Sequence, residues 1–280
     1  MIDAIDAANT EAAIDLLAEG FPLRSRDFWA DCVERIRTLG GNEAAGVPLG
    51  FIMRDKGAPV GVVLIIGATR PQPGGGVSKR VNFSAWCMKP AHRWKAPLMI
   101  RKVAKLPVDL VTDLTASREV ARILPTFGFQ PITAGISILP TPAGMLIPGP
   151  PAQLRALDEN APGDPAIARM LLAHARFGCI PMLLSAAAAA TPIMFKMTRL
   201  RGMRAARVIY CGDKAMLRRH VGAVSAFVLS RGALLLLLDL PLDGGAPGFH
   251  RPGRSVKFAI GAIDPASIDY AGSELAVFDL

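Results

Sequence analysis

Between residues 80 and 114 the chain reads RVNFSAWCM, KP, AHRWKAPLMIRKVAK, LP, VDLVTDL, and no other stretch limits its fold so tightly. The first piece has the β-branched and aromatic content of a strand, and Lys89-Pro90 stops it. From Ala96 to Lys105 apolar residues return at helical spacing, and VDLVTDL reads as a further strand. A strand, a basic turn and a helix in that order build an anion cradle, because the helix start presents amides and a favourable dipole. No glycine stands where a phosphate would approach. The turn therefore reads either as a cofactor site or as a basic, solvated helix start.

The flanking sequence extends this pattern. Residues 3–18 read as an amphipathic helix with Ile5, Ala8, Ala12 and Leu16 on one stripe, and Arg26–Leu39 as a second, stopped by Gly40-Gly41. Two apolar runs around Asp55-Lys56-Gly57 predict a hairpin, PQPGGG a loop, and Ser117–Phe127 a helix ending at Gly128. These elements place a first domain at residues 1–139. Residues 140–165, with PTPAGMLIPGPP and APGDP, read as a proline-rich linker, and residues 166–280 as a second half. There DPAIARMLLAHAR predicts a helix, residues 180–185, 191–198 and 207–211 strands, Asp213–Ser230 a helix, and ALLLLLDL a buried strand. Arg80-Val81, His92-Arg93 and Asp113 recur as Arg207-Val208, Arg219-His220 and Asp239, one residue out of step. An internal duplication accounts for this spacing.

A net charge of +9 favours anionic partners, either coenzyme phosphates or acidic lipid headgroups. Nucleic acid is not expected, because the basic residues sit in apolar surroundings and no recognition signature accompanies them. Cys32, Cys87, Cys179 and Cys211 form no CxxC pair, so neither disulfides nor a structural metal is expected; reduced thiols fit a cytoplasmic location. Acidic residues in MIDAIDAANTEAAIDLL argue against a signal peptide. FGCIPMLLSAAAAATPIMF, residues 177–195, has the length of a membrane span. Gly178, Pro181 and Pro192 instead point to two strands and a turn, leaving peripheral attachment to an inner membrane as the alternative to a freely cytoplasmic protein.

The order helix, helix, hairpin, strand, basic turn, helix, strand, helix, Gly-Phe resembles the GNAT acyltransferase superfamily, most firmly over residues 50–135. The family's Arg-Gly-x-Gly-x-Gly/Ala loop aligns with Arg93-Trp94-Lys95-Ala96-Pro97-Leu98, and its later motifs with Ser117, Val120, Ile123-Leu124 and Gly128-Phe129. NFSAWCMKPAHRWKAPLMI is similar to a bacterial branch of acyltransferases with a second, related half, found where surface polysaccharides are made. The resemblance implies a tandem α/β fold with mixed sheets, acyl-CoA as co-substrate, and an amine or hydroxyl of a polysaccharide precursor or lipid as acceptor. It also implies Met88, His92, Arg93, Lys95, Ala96, Leu98 and Ser117 as cofactor-binding positions. Ala96 and Leu98 depart from the two glycines, Pro97 removes an amide, and Leu124 replaces the tyrosine that protonates the leaving thiolate. Asp113 reads as a base or a helix cap, and Asn82 and Ser84, on one strand face with Trp86, as acceptor-positioning or backbone-satisfying groups. Cys87 has no histidine near it in sequence and is a poor nucleophile candidate. The missing tyrosine and glycines support a second reading, a catalytically degenerate protein that binds an acyl ligand, a partner protein or a membrane surface.

Overall fold

The structure, a computed structural model, describes residues 1–72, 75–187, 189–262, 264–265 and 267–279. The loop expected at PQPGGG lies partly outside them at Pro73-Gly74, and so does Ala188, in the turn expected between the two alanine-flanked strands.

The first helix begins later than its stripe implied. Residues Ile2–Ala4 form β1, and α1 spans Thr10–Gly20. The reason is local: the Asp6 carboxylate accepts the amides of Ala8 and Asn9 and turns the chain before the helix can start. Helix α2, Arg26–Leu39, is capped by Ser25, which accepts the Phe28 amide, and by Gly40 in the left-handed region. It buries Trp29, Cys32, Val33 and Ile36, one helical face. A short α3, Gly41–Ala45, follows, then β2 (Gly50–Asp55), β3 (Ala58–Pro71) and β4 (Val77–Met88). Lys56 and Gly57 both have positive φ in the β2–β3 hairpin turn, as the sequence led one to expect. Helix α4 covers Ala96–Ala104, β5 Leu110–Asp113, α5 Arg118–Ile123 and β6 Gln130–Pro131.

The proline-rich stretch is structured. It follows β7 (Gly135–Pro140) and carries α6 (Thr141–Met145) and β8 (Ala152–Ala156), whose residues pair with β9 (for example Leu154 with Leu184). Helix α7 is Pro165–Ala173, β9 Cys179–Ala186, β10 Ala189–Leu200 and β11 Met203–Cys211. The helix expected over Asp213–Ser230 is two, α8 (Lys214–Arg219) and α9 (Val221–Ser230), parted at His220, whose ring Nδ1 lies 3.0 Å from the Pro150 carbonyl oxygen. Strands β12 (Leu235–Leu240), β13 (Phe249–Pro252) and β14 (Phe258–Gly261) and helix α10 (Glu274–Val277) complete the chain. The alanine-rich run thus pairs as strands β9 and β10, with Ile193 opposite Met182. Among the described residues no helix is long and apolar enough to cross a membrane.

Contacts divide the chain into two units at Gln130/Pro131 rather than at 139/140, and β14 and Gly272–Phe278 return to the first. The first sheet has the order β1-β2-β3-β4-β5-β14-β6, the second β13-β7-β12-β11-β10-β9-β8. Both are mixed and share one plan: four antiparallel strands, one parallel pair (β4–β5 and β11–β12), then an antiparallel strand beyond it. In the first sheet that strand, β14, returns from far along the chain, whereas β7 lies in the second unit's own stretch. The shared plan is the structural counterpart of the repeated spacing. In the first unit Val60–Ile66 form a continuously buried run at the sheet centre. In the second, Leu184, Ile193, Phe195, Val224 and Leu236 lie in one apolar cluster.

Candidate active site

In the first unit the parallel pairing of β4 with β5 ends at Phe83 opposite Asp113, yet β4 continues to Met88. Past that point no main-chain bond from the β5 side reaches Ser84–Met88 among the described residues. On its other side β4 is irregular. Trp86 pairs with Val63 and Phe83 with Ile65, so Ser84 and Ala85 together face a single residue, Leu64. This is a β-bulge, which turns the strand and redirects its side chains. It also corrects the expected alternation. Trp86 falls in phase with Phe83, while Asn82, paired with Ile66, points to the opposite face.

Three polar atoms at this opening and its adjoining turn are buried without a hydrogen-bond partner: Ser84 Oγ, Trp86 Nε1 and His92 Nδ1. A buried unsatisfied group costs about 1–3 kcal/mol, and Trp29 Nε1 in α2 and Ser225 Oγ in α9 share that condition.

The carboxylates lie where the strands part. Asp113 is 5% exposed; burial, then the charge of Glu274, raises its pKa to about 7, against the amides of Thr115 and Ala116. Glu274, brought by α10, was not singled out from sequence, since a lone Glu near the chain end carries no motif. Burial likewise raises it to about 7. Asn82 Nδ2 donates to its Oε2 at 2.5 Å, the Thr115 hydroxyl donates to its Oε1, and Thr112 donates to Asn82 Oδ1 at 3.0 Å. Asn82, 3% exposed, is thus engaged through both its amide nitrogen and its oxygen. Cys87 packs against α1, its Sγ 3.2 Å from Leu16 O, and burial pushes its thiol up to about 12, which leaves no thiolate for attack.

The basic turn is a 3₁₀ helix, Pro90–Lys95, running directly into α4. The Ala96 amide donates to Arg93 O and Pro97 has none, so the amide cradle expected over Ala96–Leu98 is narrowed. Lys95 Nζ and His92 Nε2 meet Asp55 at 3.0 and 3.1 Å, holding its carboxyl below the usual range, with Lys95 the larger influence. Arg93 is exposed and makes no ion pair among the described residues. Trp94 and Leu98 beside it are 73% and 47% exposed. Met88 lies over Gly61, where any Cβ would meet it at 2.7 Å. Ser117 caps α5, its Oγ accepting the Val120 amide at 3.3 Å, and Leu124 is buried at 1% exposure.

The corresponding places in the second unit are filled from within. Beyond Arg207–Leu237, where the parallel pairing of β11 and β12 stops, the Tyr270 amide donates to Ile209 O at 2.8 Å. That inserted segment is held by Lys214 Nζ, which donates to Pro265 O and Ile268 O at 2.8 and 3.1 Å. Asp213 places its own carboxylate on the Ala215 and Met216 amides at the start of α8. A hollow of about 770 Å³ in this unit is lined by Pro150, Gln153, Ala186, Asp213, Arg219 and His220 among others.

No family model matches the sequence, and no curated protein matches it. Solved structures do. A GCN5-related N-acetyltransferase from Anabaena variabilis ATCC 29413 aligns at TM-score 0.58 and 14% identity, over 92% of this chain and 72% of that one. A conserved protein from Enterococcus faecalis V583, described as a probable N-acyltransferase, aligns at TM-score 0.56 and 9% identity over 93% and 72%. A GCN5-related N-acetyltransferase from Kribbella flavida aligns at 0.53 and 11% over 92% and 70%.

Proposed function

We propose that this chain, which has the GCN5-related N-acetyltransferase fold in tandem, is an acyl-CoA-dependent acyltransferase working from its first unit. The observation that carries the reading is the difference between the two strand openings. In the first unit the end of β4 takes no main-chain hydrogen bond from the β5 side among the described residues, and in the second the chain's own segment bonds to the equivalent edge.

An extended amide chain such as pantetheine satisfies a free strand edge by adding a short strand to it. Main-chain amides freed by the bulge face the thioester carbonyl, where they stabilise the oxyanion of attack. Arg93 contacts the phosphates, with His92 and Lys95 contributing charge from the same turn. Met88, Ala96, Leu98 and Ser117 border the ligand's path. Leu124 has no proton to give, so the leaving thiolate takes its proton from the attacking group or from water. The acceptor is an amine or hydroxyl on a polysaccharide precursor or lipid. A cytoplasmic protein that meets such an acceptor at an anionic membrane face would do so through Arg93, Trp94 and Leu98.

Titration calorimetry with acetyl-CoA tests the reading. Wild-type protein is expected to bind, and Ser84→Phe, which puts a ring into the opening, is expected not to. An absence of heat with the wild type supports the alternative, a degenerate GNAT-fold binding protein, which the closed Ala96 amide and Leu124 favour.

A further inference from the structure

The net charge of +9 is not spread along the chain. Residues 165–238 hold eleven Lys or Arg residues against a single acid, Asp213, a net charge of +10, so the remainder carries −1. Four of these arginines gather at one end of the second sheet. Arg199 and Arg204 pair across the β10–β11 hairpin, Arg201 stands in its turn, and Arg231 follows α9. All four are exposed, and none makes an ion pair among the described residues. The two loops that carry them are fastened together. The Leu234 amide donates to Arg204 O at 2.9 Å, and Arg204 Nη2 donates to Arg231 O at 3.2 Å. Among the charges, Met203 and Leu234 are 45% and 49% exposed, and Leu200, opposite Met203, is half-buried.

Folding alone does not account for this arrangement. Like charges directly opposite each other destabilise an antiparallel pair, yet Arg199 faces Arg204. A two-residue turn with both central φ positive favours Asn or Asp before Gly. Here Arg201, φ 51°, precedes Gly202, φ 83°, in a left-handed position that Gly, Asn and Asp occupy far more readily.

We propose that this end of the second sheet docks on an anionic lipid bilayer, with the four arginines over the headgroup phosphates and Met203 and Leu234 entering the interface. A guanidinium meets phosphate through paired N–H donors and is weakly hydrated, which suits it to the headgroup layer. Exposed apolar side chains among those charges gain from burial at the boundary with the acyl chains. The same side chains argue against nucleic acid. Residues 199–204 and 231–234 contain no aromatic to stack on a base, and along a phosphate backbone Met203 and Leu234 would stay in water. The surface is separate in sequence from the turn at Arg93, and the inference does not depend on the acyl-transfer reading.

The test is cosedimentation of the full chain with vesicles of phosphatidylcholine alone and of phosphatidylcholine with an equal share of phosphatidylglycerol, at low and at physiological salt. Wild type is expected to partition onto the anionic vesicles only, and less as salt rises. One cation near such a surface is worth about fivefold in partitioning, so Arg199→Gln/Arg201→Asn/Arg231→Gln should bind about 100-fold more weakly. Met203→Ser/Leu234→Ser should bind about tenfold more weakly and keep the salt dependence. Arg201→Asn alone should lose about fivefold while melting no lower than wild type, because Asn suits the turn; a purely structural arginine would not separate the two readouts. All the substituted side chains reach the surface, so the variants are expected to fold, and melting followed by circular dichroism checks it. Partition onto phosphatidylcholine alone, no partition at all, or tighter binding to a duplex DNA or single-stranded RNA oligonucleotide than to the anionic vesicles overturns the proposal. Undiminished binding by the triple arginine variant also overturns it, and would move the membrane contact to Arg93, Trp94 and Leu98.

Discussion

At the scale of residues, charge placement decides behaviour. Arg93 is exposed and pairs with no acid among the described residues, and a charge-assisted contact to phosphate is worth about 1.5–3 kcal/mol. Arg93→Ala is therefore expected to weaken acetyl-CoA binding by roughly ten- to a hundredfold, and added salt should affect the wild type more than the variant. Titration at two salt concentrations measures both; equal affinities would make the turn a solvated surface. Asp113 and Glu274 make a second prediction. Their carboxyls titrate near 7 when folded and near 3.8 and 4.5 when not, so the folded state binds protons more tightly. The stability associated with them is complete below the unfolded values and is lost as pH rises through about 7. The rise of one such group from its unfolded value to about 7 corresponds to on the order of 3 kcal/mol. Denaturant unfolding of Glu274→Gln should accordingly show a shallower decline between pH 5 and pH 8 than wild type.

At the scale of elements, the same strand–turn–helix is solved twice with opposite outcomes. The second unit caps α8 with Asp213, so Asp213→Ala should cost about 0.5–2 kcal/mol of stability, the range of a lost N-cap. It should leave acetyl-CoA affinity unchanged, since that helix start carries its own carboxylate in place of a ligand. Chemical denaturation and calorimetry on one preparation check both halves of the statement. A large change in affinity would mean that the second unit binds the cofactor.

For the molecule as a whole, topology makes the first unit depend on the far end of the chain. β14 lies between β5 and β6, so the first sheet is completed by residues far along the chain, and α10 brings Phe278 edge-on to Trp29, ring centroids 6.4 Å apart. A fragment of residues 1–139 would expose the unpaired edge of β5 and leave Asn82 without Glu274. It is expected to give no cooperative thermal transition and to aggregate through that edge. A soluble, cooperatively melting 1–139 fragment would refute this dependence.

Much of the architecture follows from local chemistry and was legible in the residues. The α2 caps, the Lys56-Gly57 hairpin, strand β4, the start of α4 and the repeated strand–helix–strand spacing are each set by neighbours a few positions away, where periodicity and turn chemistry act. The resemblance of residues 50–135 also led to the right fold, and to the strand end where Asp113 lies. Other features needed the folded chain. The bulge at Ser84-Ala85 exists only against β3, and it alone decides that Trp86 and Asn82 face apart. The boundary between units, the return of β14 to the first sheet, and the strand formed by the proline-rich stretch depend on pairings between distant residues, to which a local pattern is blind. Glu274 is the sharpest case. Nothing around it in sequence distinguishes it, and only the return of the chain to the first sheet buries it against Asn82 and Thr115, where desolvation gives a commonplace side chain an altered affinity for protons.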